Sequence, residues 1–105
     1  MVAPAPDPFE ALGDPTRRRI LGLLAERERS VAELAAELPI SRPAVSRHLR
    51  LLKQSGLVAE RPVGTRRIYR LQEQGLHTVQ RYLEQVWGDA ARRFALLAEN
   101  TEPRR

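Results

Sequence analysis

The fold is decided by residues 31–50, which have the sequence VAELAAELPISRPAVSRHLR. Apolar residues recur every three or four positions on either side of Pro39, a pattern typical of two short helices joined by a tight connection. Five apolar residues are expected to form one shared core: Leu34, Leu38, Ile40, Val45 and Leu49. This pattern predicts a helix-turn-helix whose second helix presents its polar side outward.

Both helices have recognisable start and stop signals. Ser30 followed by Glu33 is a capping box that opens the first helix, which must end before the proline. Ser41 is placed to cap the second helix, and Gly56 is the residue type most often found just past a helix end. We therefore expect the second helix, the recognition helix, over about residues 41–55.

The spacing of apolar residues changes after this helix. Residues 57–61 and 67–71 have the composition of two strands, and the Pro-Val-Gly-Thr segment at 62–65 is typical of a turn. Residues 57–71 therefore predict a hairpin with arginines at a flexible loop. Residues 29–31 are a candidate for a third, very short strand. A helix-turn-helix followed by such a hairpin, or wing, is a winged helix.

Helical spacing returns at both ends of the chain. Apolar residues predict a short helix near 8–12 and a longer one over 15–27, where Asp14 is the expected N-cap. From Gly75 onward a stripe of apolar residues predicts a long C-terminal helix. The predicted fold class is therefore mainly α with a small β-hairpin.

Length and composition favour one small domain. The chain has 105 residues, so we expect a single domain over 9–98 between flexible tails at 1–8 and 99–105. The chain has no cysteine, which excludes disulfides, thiolate metal sites and cysteine nucleophiles. The first eight residues lack the features of a secretory signal, and no apolar run is long enough to span a bilayer. We expect a cytoplasmic protein with no membrane partner.

The positive charge is concentrated in one part of the chain. The net charge is +5, but residues 1–40 carry −2, residues 41–70 carry +7 and residues 71–105 carry zero. A cluster of this kind is typical of a surface that binds a polyanion, although a solvated basic face is the alternative. The cluster coincides with the recognition helix and the wing.

This coincidence predicts binding to double-stranded DNA. The recognition helix would enter the major groove, where arginine bonds guanine through two hydrogen bonds, and its serines and N-terminal amides suit phosphate oxygens. The wing would contact the backbone or the minor groove. His48 is interpreted as a structural residue or a neighbour of a phosphate. The predicted DNA-binding residues are Ser41, Arg42, Pro43, Ser46, Arg47, Arg50, Arg61, Arg66 and Arg67.

The C-terminal stripe predicts a homodimer. In a single chain it would leave several large apolar side chains in water, unless the helix packed back on its own domain. Pairing through the N- and C-terminal helices would place two recognition helices about 34–36 Å apart, as successive major grooves require. The predicted interface residues are Phe9, Leu12, Leu76, Val79, Leu83, Val86, Trp87, Ala90, Phe94 and Leu97.

Three segments of the chain resemble the ArsR family of bacterial winged-helix repressors. They are FEALGDPTRRRIL at 9–21, the stretch from Pro43 to Val58 that contains PAVSRHLRLLK and SGLV, and GTRRIY at 64–69. The likeness extends over about residues 9–98. It implies a homodimeric transcriptional repressor that binds palindromic operator DNA, often in its own promoter.

The chain departs from that family at its metal sites. Many members carry a Cys-Val-Cys motif where this chain has Ser30, Val31 and Ala32. Others bind metal on the C-terminal helices through a four-residue pattern, of which only the histidine matches here. The nearest register is Gly75, His77, Gly88 and Ala91. We therefore expect no metal and no cofactor, which resembles the metal-independent branch, and the sequence identifies no small-molecule effector.

Two other functions have less support in the sequence. A winged helix can bind RNA or another protein, but RNA recognition uses exposed aromatics, and the five here mostly occupy core-like positions. They are Phe9, Tyr69, Tyr82, Trp87 and Phe94. An enzyme is disfavoured because the two histidines have no serine or carboxylate at a suggestive spacing and no phosphate-binding glycine loop is present.

Overall fold

Five helices and a three-stranded sheet make up the described part of the chain, residues 6–100 of a computed structural model. This architecture confirms the predicted fold class, mainly α with a small sheet. The elements, in chain order, are α1 (Pro8–Leu12), α2 (Pro15–Glu26), β1 (Arg29–Ser30), α3 (Val31–Glu37), α4 (Arg42–Gln54), β2 (Val58–Val63), β3 (Arg66–Leu71) and α5 (Glu73–Asn100).

The helix-turn-helix, α3 and α4, has the predicted caps. The Ser30 hydroxyl accepts a hydrogen bond from the backbone N–H of Glu33 at 3.2 Å, and the Glu33 carboxylate accepts one from the N–H of Ser30 at 3.0 Å. The Ser41 hydroxyl accepts from the N–H of Ala44 at 3.3 Å and opens α4. These bonds satisfy amides that have no partner within the helix. The predicted shared core is confirmed, with Ile40 only half-buried.

A close backbone contact joins the end of α4 to the start of α5. Gly56 adopts a φ of +79°, the left-handed conformation that suits glycine past a helix end. The N–H of Gly75 donates to the carbonyl of Gly56 at 2.8 Å. A Cβ on Gly75 would lie 2.6 Å from the carbonyl oxygen of Ser55 and 2.9 Å from a methyl of Leu57. Because residue 75 has no side chain, the start of α5 packs directly against the residues that follow the recognition helix.

The sheet is antiparallel with the strand order β1-β3-β2. The predicted hairpin turn lies within 62–65 but is shorter than expected, because Val63 pairs with Arg66 and only Gly64 and Thr65 connect the strands. Pro62 is tolerated in β2 because an edge strand does not need every N–H for the ladder. Gly64 has a φ of +62°, as a two-residue hairpin turn requires. β1 confirms the short third strand but ends one residue earlier than expected.

The core lies where α2, α3, α4 and the sheet meet, and α1 is fixed to it through arginines. The Arg17 side chain donates to the carbonyls of Ala11 at 2.8 Å and Glu10 at 3.2 Å, while Arg18 donates to that of Leu12 at 2.8 Å. These bonds satisfy the last carbonyls of α1. The buried apolar residues are Ala11, Ile20, Leu24, Leu34, Leu38, Val45, Leu49, Leu52, Leu57, Val58 and Tyr69.

The predicted tails lie largely outside the described residues. Within the described part, Asp7 caps α1 by accepting a hydrogen bond from the N–H of Phe9 at 2.7 Å, and the helix begins at Pro8. At the other end α5 continues to Asn100, beyond the expected boundary at residue 98.

Candidate nucleic-acid interface

The outer face of α4 carries three arginines that have no partner in the part of the chain that the structure describes. Val45, Leu49 and Leu52 turn one side of this helix into the core, so helical spacing directs the basic residues to solvent. Arg42, Arg47 and Arg50 are exposed, and none forms an ion pair or side-chain hydrogen bond within residues 6–100. Their charge is therefore available to an external anion.

His48 lies on the flank of α4 that faces α2. Its side chain is half-buried, and Nδ1 is 3.4 Å from Nη1 of Arg17. The same guanidinium group holds the carbonyls at the end of α1. This position favours the structural interpretation of His48, as part of the packing of α1 and α2 against the recognition helix.

A polar groove separates the start of α4 from the turn of the wing. Its volume is about 450 Å3, and three guanidinium groups and several hydroxyl groups line it. The lining residues are Ser30, Val31, Ala32, Arg42, Pro43, Ser46, Thr65, Arg66 and Arg67. The first two residues of α4, Arg42 and Pro43, line this groove, so the positive end of the helix dipole lies beside it and adds to the attraction for anions.

A second polar groove follows the same helix toward its C-terminal end. It has a volume of about 310 Å3 and is lined by Ser46, Arg50, Lys53, Glu60, Arg67 and Tyr69. Six of the nine predicted DNA-binding residues thus line one or both grooves. Ser41, Arg47 and Arg61 lie outside both.

The wing arginines lie in the strands, which corrects the expectation that they occupy a flexible loop. By the strand register, Arg61 and Arg66 point to one face of the hairpin and Arg67 to the other. Nη2 of Arg66 is 3.1 Å from Oε1 of Glu33, and Arg61 forms an ion pair with Glu28. Unlike the arginines of α4, these groups already have acidic partners.

Glu60 joins the wing to the recognition helix. Its Oε1 is 2.7 Å from Nζ of Lys53 on α4 and 2.9 Å from Nη1 of Arg67 on β3. The hydrogen bond from Lys53, followed by that from Tyr69, lowers the pKa of Glu60. Burial, followed by the neighbouring carboxylate, raises the pKa of Tyr69 to about 12. Glu60 therefore remains charged and fixes the distance between helix and wing.

The predicted DNA-binding set omitted seven residues that line the grooves: Ser30, Val31, Ala32, Lys53, Glu60, Thr65 and Tyr69. Lys53 was detectable, because it follows Ser46 by seven positions and so belongs to the same helical stripe. The acidic partners of the wing had no such signal, since Glu33 and Arg66 are 33 positions apart.

Glu33 is the most strongly perturbed acid near the wing. It accepts hydrogen bonds from the N–H of Ser30 and from Arg27, whose Nη1 is 2.9 Å from Oε2. The backbone hydrogen bond of Ser30, followed by that of Arg27, lowers the pKa of Glu33 to about 2. The carboxylate that holds Arg66 is therefore ionised at every physiological pH.

α5 carries a long stripe of exposed apolar side chains. Phe94 is 74% exposed and Trp87 is 51% exposed, and α1 approaches the same helix through an edge-to-face contact of Phe9 with Tyr82 at 5.0 Å. Of the predicted interface residues, Leu12 and Val79 are half-buried. The others are exposed: Phe9, Leu76, Leu83, Val86, Trp87, Ala90, Phe94 and Leu97.

This exposure corrects the interpretation of the aromatic residues. Four of the five are exposed on α1 and α5, and only Tyr69 lies in the core. None of the exposed aromatics lines either polar groove. Over residues 6–100 the basic surface therefore presents no exposed aromatic ring of the kind on which the bases of single-stranded RNA usually stack.

His77 is an exposed residue on the first turns of α5, 3.8 Å from Glu73. Over residues 6–100 the acidic and histidine side chains form no group of three or more that is placed to hold a metal ion. In the same part of the chain, no helix combines the length and apolarity needed to cross a membrane.

Together, a capped helix-turn-helix, an adjoining two-stranded wing and a basic face shared by both define a winged helix-turn-helix of the DNA-binding class. Residues 14–60 match the family model for bacterial regulatory proteins of the arsR family. The match covers the segment from the N-cap of α2 to the first half of β2.

Known proteins extend this match over most of the chain. HTH-type transcriptional regulator Rv2034 of Mycobacterium tuberculosis is 46% identical over 88% of this chain and 86% of its own length. The arsenical resistance operon repressor of Escherichia coli is 38% identical over 75% of this chain and 68% of its own length.

Two solved structures of similar regulators also match this chain over most of its length. A possible transcriptional regulator for arsenical resistance superposes with a TM-score of 0.72 at 44% identity, covering 91% of this chain and 98% of its own. An ArsR-like transcriptional regulator from Rhodococcus sp. RHA1 has a TM-score of 0.71 at 38% identity, covering 90% and 89%. The chain therefore belongs to the ArsR family and is a DNA-binding transcriptional regulator.

Proposed function

We propose that this regulator is a homodimeric repressor that binds a palindromic operator in its own or a neighbouring promoter. The observation that carries the proposal is the set of three arginines on the outer face of α4, beside the wing, that have no ionic partner among the described residues. Unpaired, exposed guanidinium groups at the start and middle of a recognition helix suit base edges in the major groove.

The proposed division of contacts follows the position of each residue. Arg47 lies opposite the buried face of α4 and is assigned to a base edge, as are Arg42 and Arg50. Ser41, Pro43 and Ser46 lie in the first turns of the helix and are assigned to the adjoining backbone. The wing residues Arg61, Arg66 and Arg67 are assigned to phosphates or to the minor groove.

The exposed stripe on α5 supports the dimer. A fully buried Leu, Val or Phe side chain contributes roughly 1.5–3 kcal/mol relative to an exposed one, so a helix of this length gains substantially from a covering surface. In a two-fold dimer each α5 would cover the other, with α1 completing the contact through Phe9 and Leu12. Two recognition helices would then face the same side of the DNA.

Cellular location and regulation follow from this role. A repressor acts where the chromosome is, so we propose that the protein works in the cytoplasm and has no catalytic activity. The chain has Ser30, Val31 and Ala32 where many relatives carry a metal-binding motif. We therefore assign it to the metal-independent branch, with an effector still to be identified.

The proposal of a palindromic operator is tested by selecting bound duplexes from a random DNA library with the purified full-length chain. The expected result is an inverted repeat whose half-sites are about one helical turn apart. Enrichment of an asymmetric site, or no enrichment over the starting library, would contradict the proposal. Competition with structured RNA under the same conditions tests the RNA alternative.

The dimer is tested with Val86→Asp, which places a charge within the exposed stripe of α5. We expect a dimer for the wild type and a folded monomer for the variant in sedimentation equilibrium, because the buried core excludes α5. Gln85→Asp adds the same charge beside the stripe and should remain dimeric. A monomeric wild type, or a dimer unaffected by Val86→Asp, would contradict pairing through α5.

A further inference from the structure

Two acidic residues hold the arginines on one face of the wing, here called its outer face. Arg66 is paired with Glu33 at 3.1 Å, and Arg61 is paired with Glu28. The four side chains are between about one-third and three-fifths exposed, so both ion pairs are open to solvent. The two guanidinium groups are therefore occupied in the free protein but accessible to a larger anion.

The acidic partners are placed by the tertiary fold. Each is 33 positions before its arginine, in the segment that leads from α2 through β1 into α3. β1 pairs with β3 and so fixes this segment beside the wing. Glu33 is held further by the N–H of Ser30 and by Arg27, two contacts that do not involve Arg66.

Such pairs exchange readily with phosphate. Exposed ion pairs contribute little net stability, because water and salt screen them and both side chains lose freedom. A phosphate can accept two hydrogen bonds from one guanidinium group, and its neutralisation releases counterions from DNA. Contact of the wing with DNA would therefore replace a carboxylate by a phosphate at each outer-face arginine.

We propose that the carboxylates of Glu28 and Glu33 compete with DNA phosphates for the outer-face arginines, and thereby limit how tightly the wing holds any duplex. This inference rests on the proposed contact of the wing with DNA. Because phosphate contacts carry no sequence information, the two carboxylates lower the affinity for operator and for unrelated DNA by the same factor. They determine affinity without determining sequence preference.

The test uses the full-length chain and fluorescence anisotropy with two labelled duplexes, one of arbitrary sequence and one recovered by selection. Glu33→Gln retains the capping box, which accepts glutamine at this position. We expect Glu28→Gln and Glu33→Gln each to bind both duplexes about two- to fivefold more tightly, the range that corresponds to one exposed ion pair. Glu10→Gln removes an exposed carboxylate of α1 that has no ionic partner within residues 6–100, and this variant should bind within error of wild type.

A double-mutant cycle separates competition for the arginine from simple repulsion of DNA. If Glu33 acts by holding Arg66, Glu33→Gln should have no effect in an Arg66→Ala background. A gain of the same size in both backgrounds would overturn the proposal, since it would show that the carboxylate repels DNA directly. So would a Glu33→Gln affinity equal to that of Glu10→Gln.

The outcome also distinguishes this inference from the proposed function. If wild type binds the selected duplex and the glutamine variants are unchanged, the competition is wrong and the DNA-binding role stands. If wild type binds neither duplex, the proposed function fails and this inference fails with it. Circular dichroism melts confirm that each variant is folded.

Discussion

The arginines of the recognition helix and those of the wing lie in different electrostatic surroundings. On α4, Arg42 and Arg47 are exposed and without an ionic partner in the described residues. On the wing, Arg66 and Arg67 are bound to Glu33 and Glu60 at 3.1 and 2.9 Å. Residues of one type, within one basic surface, are therefore prepared for different contacts.

Because of this difference, the arginines of the helix and those of the wing are suited to different contacts with DNA. An unpaired arginine on a helix fixed to the core can be oriented toward a base edge without losing an internal contact. An arginine that is paired with a carboxylate loses that ion pair when it binds a phosphate, so each new contact contributes less binding free energy. Its side chain, however, has a defined position before DNA binds. Base contacts specify and phosphate contacts position, and we propose the first role for the recognition helix and the second for the wing.

The largest expected effect is on the free energy of unfolding, because the end of the recognition helix is packed more tightly than the turn of the wing. Gly75→Ala would place a Cβ 2.6 Å from the carbonyl oxygen of Ser55, at the exit of the recognition helix. We expect a loss of about 3 kcal/mol in the free energy of unfolding, the upper part of the range for overpacking. Gly64→Ala at the wing turn meets no atom within 4 Å and should cost only about 1 kcal/mol, for its positive φ.

Urea unfolding monitored by circular dichroism measures both values. Gly22→Ala is the matched control within a helix, because its added Cβ would also meet no atom within 4 Å. It should stabilise the protein by up to about 1 kcal/mol, the difference in helix propensity. If Gly75→Ala were as mild as Gly64→Ala, the recognition helix would be no more firmly anchored than the wing.

The next effect concerns base reading by Arg47. Arg47→Ala should lose roughly 1–3 kcal/mol of discrimination if this residue bonds a guanine. The contact of Arg47 can be located by replacing one half-site guanine of the selected operator at a time with 7-deazaguanine, which lacks the N7 acceptor. Each modified operator is then titrated with wild type and with the variant. At the guanine read by Arg47, the analogue should weaken wild type and leave Arg47→Ala unchanged. A further loss in the variant at every position would show that Arg47 is not the partner of N7.

A smaller effect is expected at the wing. Arg66→Ala should weaken binding to every duplex to a similar extent, because it removes one phosphate contact. A plot of log affinity against log salt concentration should become shallower by roughly 0.9, the contribution of one neutralised phosphate. An unchanged slope would mean that Arg66 does not contact the backbone. Arg93→Ala, on α5, provides a control for the loss of one positive charge.

The smallest effect is on stability in acid. The hydrogen bonds of Ser30 and Arg27 lower the pKa of Glu33 to about 2 from an ordinary value of 4.5. Its contribution is therefore complete above pH 4.5 and is lost as the pH falls toward 2. Unfolding free energies measured between pH 7 and 2.5 should show wild type more stable than Glu33→Gln at neutral pH, with the gap closing below 4.5. A gap as large at pH 2.5 as at pH 7 would contradict the assignment.

Much of the fold was predictable because its signals are local. The Ser30–Glu33 capping box and Gly56 each act within a few residues, and the structure has the predicted helix boundaries there. The wing was misjudged at Pro62, which resembles a turn residue but lies in β2. A sequence does not show that this strand is at the edge of the sheet, and only an edge strand tolerates proline in this way.

The candidate site was predictable only in part, for the same reason. The outward direction of Arg47 follows from helical spacing within α4. The pairing of Arg61 with Glu28 does not, because it depends on β1 bringing a distant segment beside the wing. Net charge counted along the sequence therefore gave the location of the basic surface but not which of its charges are already neutralised.

We propose that the recognition helix reads sequence while the wing supplies affinity. The decisive quantity is the ratio of the dissociation constants for a scrambled duplex and for the operator, measured at one salt concentration. Relative to wild type, Arg47→Ala should lower this ratio by about tenfold or more, whereas Arg66→Ala should leave it unchanged while weakening both complexes. An equal fall in the ratio for both variants would contradict the division between helix and wing.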